Sequence, residues 1–151
     1  MSSDPAALTS HIGFHLRMVS NHVSQSFAAK LMAQKVTVAE WVMLRALFDQ
    51  PPLPPSLLAD RLGLTRGAIS KLAGRLIAKE LIARSANPND ARAQTLQLTS
   101  EGYALVPVLA SLADNNEAEA FGCLSDQERT TLESLLKRLI NTHHLKSVAI
   151  D

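Results

Sequence analysis

Residues 55–102 read PSLLADRLGLTRGAISKLAGRLIAKELIARSANPNDARAQTLQLTSEG, and this stretch decides the fold. Its first half is two short amphipathic helices joined by a tight turn. Ala59 is small enough for two helices to cross closely. Gly63, four residues on, stands where the chain leaves the first helix and a positive φ is expected. Ile69, six residues further, pins the second helix to a core, and Thr65 is placed to cap it. Each residue type is common alone; in this order and spacing they specify a helix-turn-helix.

The second helix, residues 65–79, buries Ile69, Leu72, Ala73, Leu76 and Ile77 and turns Arg66, Gly67, Ser70, Lys71, Gly74, Arg75 and Ala78 outward. Arginine can make bidentate bonds to guanine, serine can bond a base or a phosphate, and small residues permit close approach. A merely solvated face would carry charge too. Each glycine, however, costs roughly 1 kcal/mol against alanine inside a helix, which solvation does not explain. Such a helix can enter the major groove of DNA.

Beyond Leu81 the apolar period changes. Leu96 and Leu98 alternate with Thr95, Gln97 and Thr99, predicting a half-buried strand with Ile82 to Ser85 as its partner. The link from Ala86 to Arg92 is polar and turn-rich, predicting a loop at a hairpin tip. Asp90 and Arg92, two apart, share one side of an extended segment. The carboxylate can hold the guanidinium for insertion into a narrow minor groove. The plain alternative is a weak surface ion pair.

Long helices flank this module. From Thr9 to about Gln34, Ile12, Leu16, Val19, Val23, Phe27 and Leu31 form one stripe. Thr37 to Glu40 reads as a capping box, and the helix it opens is expected to bury Trp41, Leu44, Leu47 and Phe48. Pro51, Pro52, Pro54 and Pro55 then stop any helix, with Ser56 placed to cap the next. A helix from about Ser100 to Phe121 carries Leu105, Val108, Leu109 and Leu112, and Pro107 is expected to kink it or delay its start. Ser125 to Glu128 is a second capping box. The last helix carries Leu132, Leu135, Leu136, Leu139, Ile140 and His143 along one stripe. The fold class is mainly α with a small β-hairpin wing: a winged helix-turn-helix lobe, residues 37–102, with long N- and C-terminal dimerisation helices, 9–34 and 103–146. A central unit of about fifty residues cannot cover three long apolar stripes, so burial against a second copy is expected.

Composition narrows the function. At 151 residues and 46% hydrophobic content, one domain with a real core is expected, built from aliphatic residues because aromatics are only 4%. The net charge of +1 hides a gradient: +1 over residues 1–55, +3 over 56–102 and −3 over 103–151. A basic middle on a neutral and acidic scaffold suits a polyanion partner. The start MSSDPAALTSHIG has no basic segment followed by an apolar one, no apolar run suits a membrane, and Cys123 has no partner for a disulfide. A cytoplasmic protein with no membrane role is expected. Cys123 has no basic neighbour in sequence to lower its pKa, which speaks against a redox role. No GxSxG, P-loop, GxGxxG or CxxC spacing occurs, so neither an enzyme nor a cofactor is expected. His11 and His15, one helical turn apart, lack further ligands nearby and read as surface or interface residues rather than a metal site.

The run from Leu57 to Gly102 resembles the MarR family of winged helix-turn-helix regulators. Leu81, Arg84, Pro88, Asp90, Arg92, Leu96, Leu98, Thr99 and Gly102 carry the likeness through the wing, and Thr37, Glu40, Trp41 and Leu44 carry it upstream. It extends over nearly the whole chain. The resemblance implies a homodimer on pseudo-palindromic double-stranded DNA, usually a repressor released by a small ligand. It implies DNA contacts by Ser56, Thr65, Arg66, Ser70, Lys71 and Arg75 and, on the wing (residues 85–95), by Asp90 and Arg92, with Arg84 beside it. It further implies a pocket for a small aromatic or phenolic ligand between the dimer helices and the DNA-binding lobe, which His11, His15 and Trp41 can line. Two residues depart from the pattern. Glu80 stands where such proteins usually have glycine, and strain is expected if that position needs positive φ. Ala91 stands where many have a second arginine, which removes a phosphate-binding charge. A winged-helix protein-interaction module without strong DNA binding is the alternative reading.

Overall fold

The structure, a computed structural model, describes residues 3–87 and 90–146; the side chains of residues 87 and 90–93 lie outside that description. A short turn of 3-10 helix, Leu8–Ser10, leads into α1 (Ile12–Met32), α2 (Val38–Leu47), α3 (Pro55–Leu62) and α4 (Arg66–Ala78). An antiparallel hairpin of β1 (Ile82–Asn87) and β2 (Asp90–Leu98) follows, then α5 (Ser100–Phe121) and α6 (Asp126–Thr142). The fold is mainly α with a β-hairpin wing, as the sequence predicts.

The core draws on every one of these elements except the 3-10 turn and α6. Leu31, Met43, Leu44, Leu58, Ile69, Leu76, Ile82, Leu96 and Leu109 are all fully buried. In the helix-turn-helix, Ala59 is buried where α3 meets α4. Gly63 takes φ 65° and ψ 29°, which lets the Leu64 amide turn back to the Ala59 carbonyl at 3.0 Å. Thr65 caps α4, its hydroxyl oxygen accepting from the Ala68 amide at 3.1 Å.

The proline-rich segment behaves differently from its prediction. Pro55 does not stop a helix but starts one, at the first helical position, where a missing N–H costs nothing. Ser56 therefore lies inside the first turn and makes no cap bond. Between Pro51 and Pro55 only Leu53 owns an amide hydrogen. Its amide and carbonyl pair with Leu96 at 2.9 and 2.8 Å, laying a one-residue third strand along the base of the wing.

The strands are also longer than the alternation suggested. Ile82 pairs with Leu98 and Arg84 with Leu96; the register shifts beyond Ala86, and pairing resumes between Asn87 and Asp90. Ala86 and Gln94, paired toward the tip, are both exposed, so the backbone ladder there leaves no apolar alternation. In α2 the buried face is Glu40, Met43, Leu44 and Leu47; Trp41 and Phe48 are only half-buried. Trp41 stands edge-on to Phe27 of α1, and Phe48 stacks on Tyr103 of α5 at 4.7 Å. Pro107 does not delay α5, which starts at Ser100 and runs across it. Pro107 and Tyr103 both lie on the exposed side, so the carbonyl that loses its helical donor faces water.

The junction between α4 and the wing concentrates the backbone's special geometry. The Leu81 amide returns to Leu76 and the Glu80 amide to Ile77, each at 2.9 Å, with Glu80 at φ 61°. This is a Schellman ending with glutamate in the left-handed position. Thr99 closes the corner: its hydroxyl donates to the Glu80 carbonyl at 2.7 Å and accepts from the Gly102 amide at 3.1 Å, capping α5. A Cβ at Gly102 would collide with the Leu81 carbonyl oxygen, so this approach needs glycine. The strain expected at Glu80 is thus present. Glu80→Gly should stabilise the protein by about 1 kcal/mol and raise Tm by about 2–4 °C. Thermal denaturation followed by circular dichroism checks this; an unchanged or lower Tm would sink it.

Candidate nucleic-acid interface

The apolar side of α4 is held down by Ile69, Leu72, Ala73 and Leu76, which leaves Arg66, Ser70, Lys71 and Arg75 exposed on the other side. Gly67 and Gly74 lie exposed among them. An added Cβ would meet nothing nearer than the Thr65 hydroxyl at 3.9 Å at the first and nothing within 4 Å at the second. The fold itself therefore asks for glycine at neither position. Arg84 projects exposed from β1, Ser56 is exposed on α3, and Thr65 is exposed at the α4 cap. Among the described residues none of Arg66, Lys71, Arg75 and Arg84 forms an ion pair. Their charges are directed to solvent and uncompensated. Asp90 and Arg92 fall on β2, but their side chains, and so their pairing, lie outside the described residues.

Lys79, at the C-terminal cap of α4, is held differently. Its ammonium lies 3.0 Å from Glu40 Oε1 and 2.7 Å from Oε2, and donates to the Lys35 carbonyl at 2.8 Å. Oε2 is out of line for a hydrogen bond and is held by charge. Glu40 is 1% exposed. It also completes the predicted capping box, accepting from the Thr37 amide at 3.1 Å while Thr37 Oγ1 accepts from its own amide at 3.1 Å. Burial pushes the Glu40 carboxyl up, but the bonds from Lys79 and Thr37 outweigh it and hold the group below its ordinary value. Lys35 presents its carbonyl because α1 ends with Lys35 at φ 58°, its amide on Met32 and that of Val36 on Leu31. The capping box was legible in the sequence. The ion pair across 39 residues carried no local signal.

The three residues suggested for a ligand pocket do not come together in one protomer. His11 is exposed ahead of α1. His15 Nε2 donates to the Thr9 carbonyl at 2.8 Å, and the residue lines an apolar groove of ≈ 450 Å³ with Leu16, Val19, Phe121, Leu132 and Leu136. Trp41 packs on Phe27, which at 1.5 Å per residue stands about 18 Å along α1 from His15. Among the described residues no three His, Cys, Asp or Glu side chains are placed to hold a metal ion, and no helix is long and apolar enough to cross a membrane.

A helix-turn-helix with a free cationic face and a hairpin wing beside it defines a winged-helix DNA-binding protein. Residues 36–93 match the MarR family. A Thauera aromatica protein named for transcriptional regulation of the hcr operon is 31% identical over 134 residues, covering 88% of this chain and 81% of its own. Among solved structures, Bordetella bronchiseptica BpsR, whose DNA binding is regulated by 6-hydroxynicotinic acid, matches with TM-score 0.78 and 27% identity over 90% of this chain and 97% of its own. A cysteine-to-serine mutant of Escherichia coli MarR complexed with operator DNA matches with TM-score 0.79 and 27% identity, over 91% and 99%. The chain belongs to the MarR family: it is a DNA-binding transcriptional regulator, not an enzyme.

The Glu40 pair makes stability depend on pH. In the wild type the depressed carboxyl contributes stability above its unfolded pKa, about 4.3, and loses it as pH falls through the folded value. In Lys79→Met burial is opposed by the Thr37 bonds alone, so the carboxyl stands higher than in the wild type and the substitution costs more as pH rises. The substitution should cost about 2 kcal/mol at pH 7.5, less than the roughly 3–5 of a fully buried pair because Lys79 is 38% exposed. Urea denaturation at pH 5 and 7.5 should show a smaller cost at pH 5; equal costs would contradict the charge pairing.

Proposed function

We propose that the protein is a homodimeric repressor that binds a pseudo-palindromic operator in the cytoplasm and is released by a small aromatic ligand. The observation that carries the DNA reading is the exposed, unpaired face of Arg66, Lys71 and Arg75 on a helix whose glycines the fold does not require. Residues 37–102 form the DNA-binding lobe. Arg66, Ser70, Lys71 and Arg75 read and clamp the major groove with Ser56 and Thr65 at its edge, while Arg84, Asp90 and Arg92 serve the wing in the minor groove. The operator complex of the similar Escherichia coli protein supports this assignment.

Dimerisation is supported by surface that one chain cannot cover. None of the residues of α6 is buried, and Leu135, Leu139 and Ile140 are 49%, 47% and 44% exposed; Ile12 on α1 is 85% exposed. The accessible surface is 10627 Å², against about 7,500 Å² for a compact monomer of 16.3 kDa. The excess is ample for the ~1,000–2,500 Å² that each partner of an obligate dimer contributes. Residues 9–34 and 103–146 form the dimerisation lobe, and paired recognition helices about 34 Å apart meet successive turns of DNA. The groove beside His15 suits a small aromatic acid in size, and the regulation of BpsR by 6-hydroxynicotinic acid supports that class of ligand.

Against a duplex selected by the wild-type chain from a random pool, Arg75→Ala should weaken binding by about 1–3 kcal/mol, and Lys71→Ala should lower the salt slope by about 1. Mobility shifts across a salt series read both; a flat wild-type salt response would favour the protein-interaction alternative. Leu139→Glu, at an exposed position, should convert a sedimenting dimer to a folded monomer. A wild-type monomer would remove the dimer.

A further inference from the structure

The geometry points to Lys79 as a positioning residue for operator binding, acting through Glu40 rather than on a phosphate. This inference rests on the DNA-binding reading above. Lys79 ends the basic helix and carries the same charge as Lys71 and Arg75. Its ammonium is committed elsewhere: both carboxylate oxygens of Glu40 and the Lys35 carbonyl lie within 3.0 Å of it. Those partners belong to the first turn of α2 and to the end of α1. The C-terminus of α4 is thereby tied at one point to α1, the helix with the exposed apolar stripe, and to α2. On its other side the same end is tied to α5 through Glu80 and Thr99.

The consequence is angular. A helix of 13 residues is about 20 Å long. Its N-terminal end is capped by Thr65 and packs on α3, with Ile69 fully buried. Without the Lys79 anchor the C-terminal end keeps the Glu80–Thr99 bond to α5, while its side toward α1 and α2 is left with apolar contacts, which are not directional. A tilt of about 5° would move that end by nearly 2 Å, and Arg75 sits one turn from it. Hydrogen bonds to base edges do not survive such a displacement.

Glu40→Gln separates this from direct contact, because it removes no cation and makes the chain more positive. A purely electrostatic account predicts equal or tighter binding. Positioning predicts a Kd raised by about five- to tenfold, as changes along a coupling path do. Lys79→Met should raise Kd by a similar factor, and the double variant by no more than Lys79→Met alone, because both act through one bond. Each Kd is referred to active dimer, titrated stoichiometrically with the selected duplex, so loss of folded protein does not enter. Binding by Glu40→Gln at or below the wild-type Kd, or additive losses in the double variant, would overturn the assignment. If Lys79→Met does not fold, Glu40→Gln decides alone. Failure of the wild type to select any duplex would instead overturn the regulator reading itself.

Discussion

Lys79 carries an ammonium group into the corner where α1 ends, α2 begins and α4 ends, and the rest of the lobe is arranged around that corner. Three helix termini meet there, each with backbone groups its own helix cannot satisfy. Glu40 serves two of them: it accepts from the Thr37 amide at the start of α2 and from the lysine that ends α4. Lys35 gives its carbonyl to the same lysine. A buried carboxylate without these bonds would cost several kcal/mol; with them it fixes where the helices stand relative to one another.

The polar corner sets geometry, while the apolar residues set which surfaces are left over. The central lobe closes on itself around Leu44, Leu58, Ile69, Leu76 and Leu96. The outer helices do not. α6 is well formed, with a complete capping box at Ser125, yet it buries none of its residues. A helix so capped and so uncovered has local reasons to form and no protomer surface to hide its leucines. That imbalance motivates the proposed dimer, and the groove beside His15 opens between α1, the end of α5 and the middle of α6.

Among the described residues, left-handed backbone falls in the turns. Lys35, Asp49, Glu80 and His144 adopt positive φ without being glycine. At Glu80 the conformation is enforced from both sides, by the Schellman bonds of α4 and by the Thr99 hydroxyl on its carbonyl. Glutamate at this position therefore raises the cost of the turn, while the bonds on both sides hold its shape.

Much of this was legible in the residues alone. Periodicity placed the helices, Gly63 and Thr65 placed the turn, and two capping boxes placed the starts of α2 and α6, because each depends on neighbours within four residues. The outward face of α4 was legible for the same reason. Legibility failed where partners are remote or where nothing is buried. Ser56 looked like a cap because the choice of Pro55 as first helical residue depends on Leu53 pairing with Leu96, forty-three residues away. Ala86 and Gln94, paired toward the tip of the wing, are both exposed and so gave no alternation. Trp41 and Phe48, expected to be buried, are half-buried, and Met43 and Glu40 are buried beside Leu44 and Leu47, because α1 and α4, not α2, decide which side of α2 is covered. By itself the sequence determined the helix-turn-helix, its basic face and its family resemblance, all written in short-range spacing. Only the tertiary structure decided that the last lysine of that basic helix turns inward to a buried glutamate, because an ion pair across 39 residues exists only once the helices have packed.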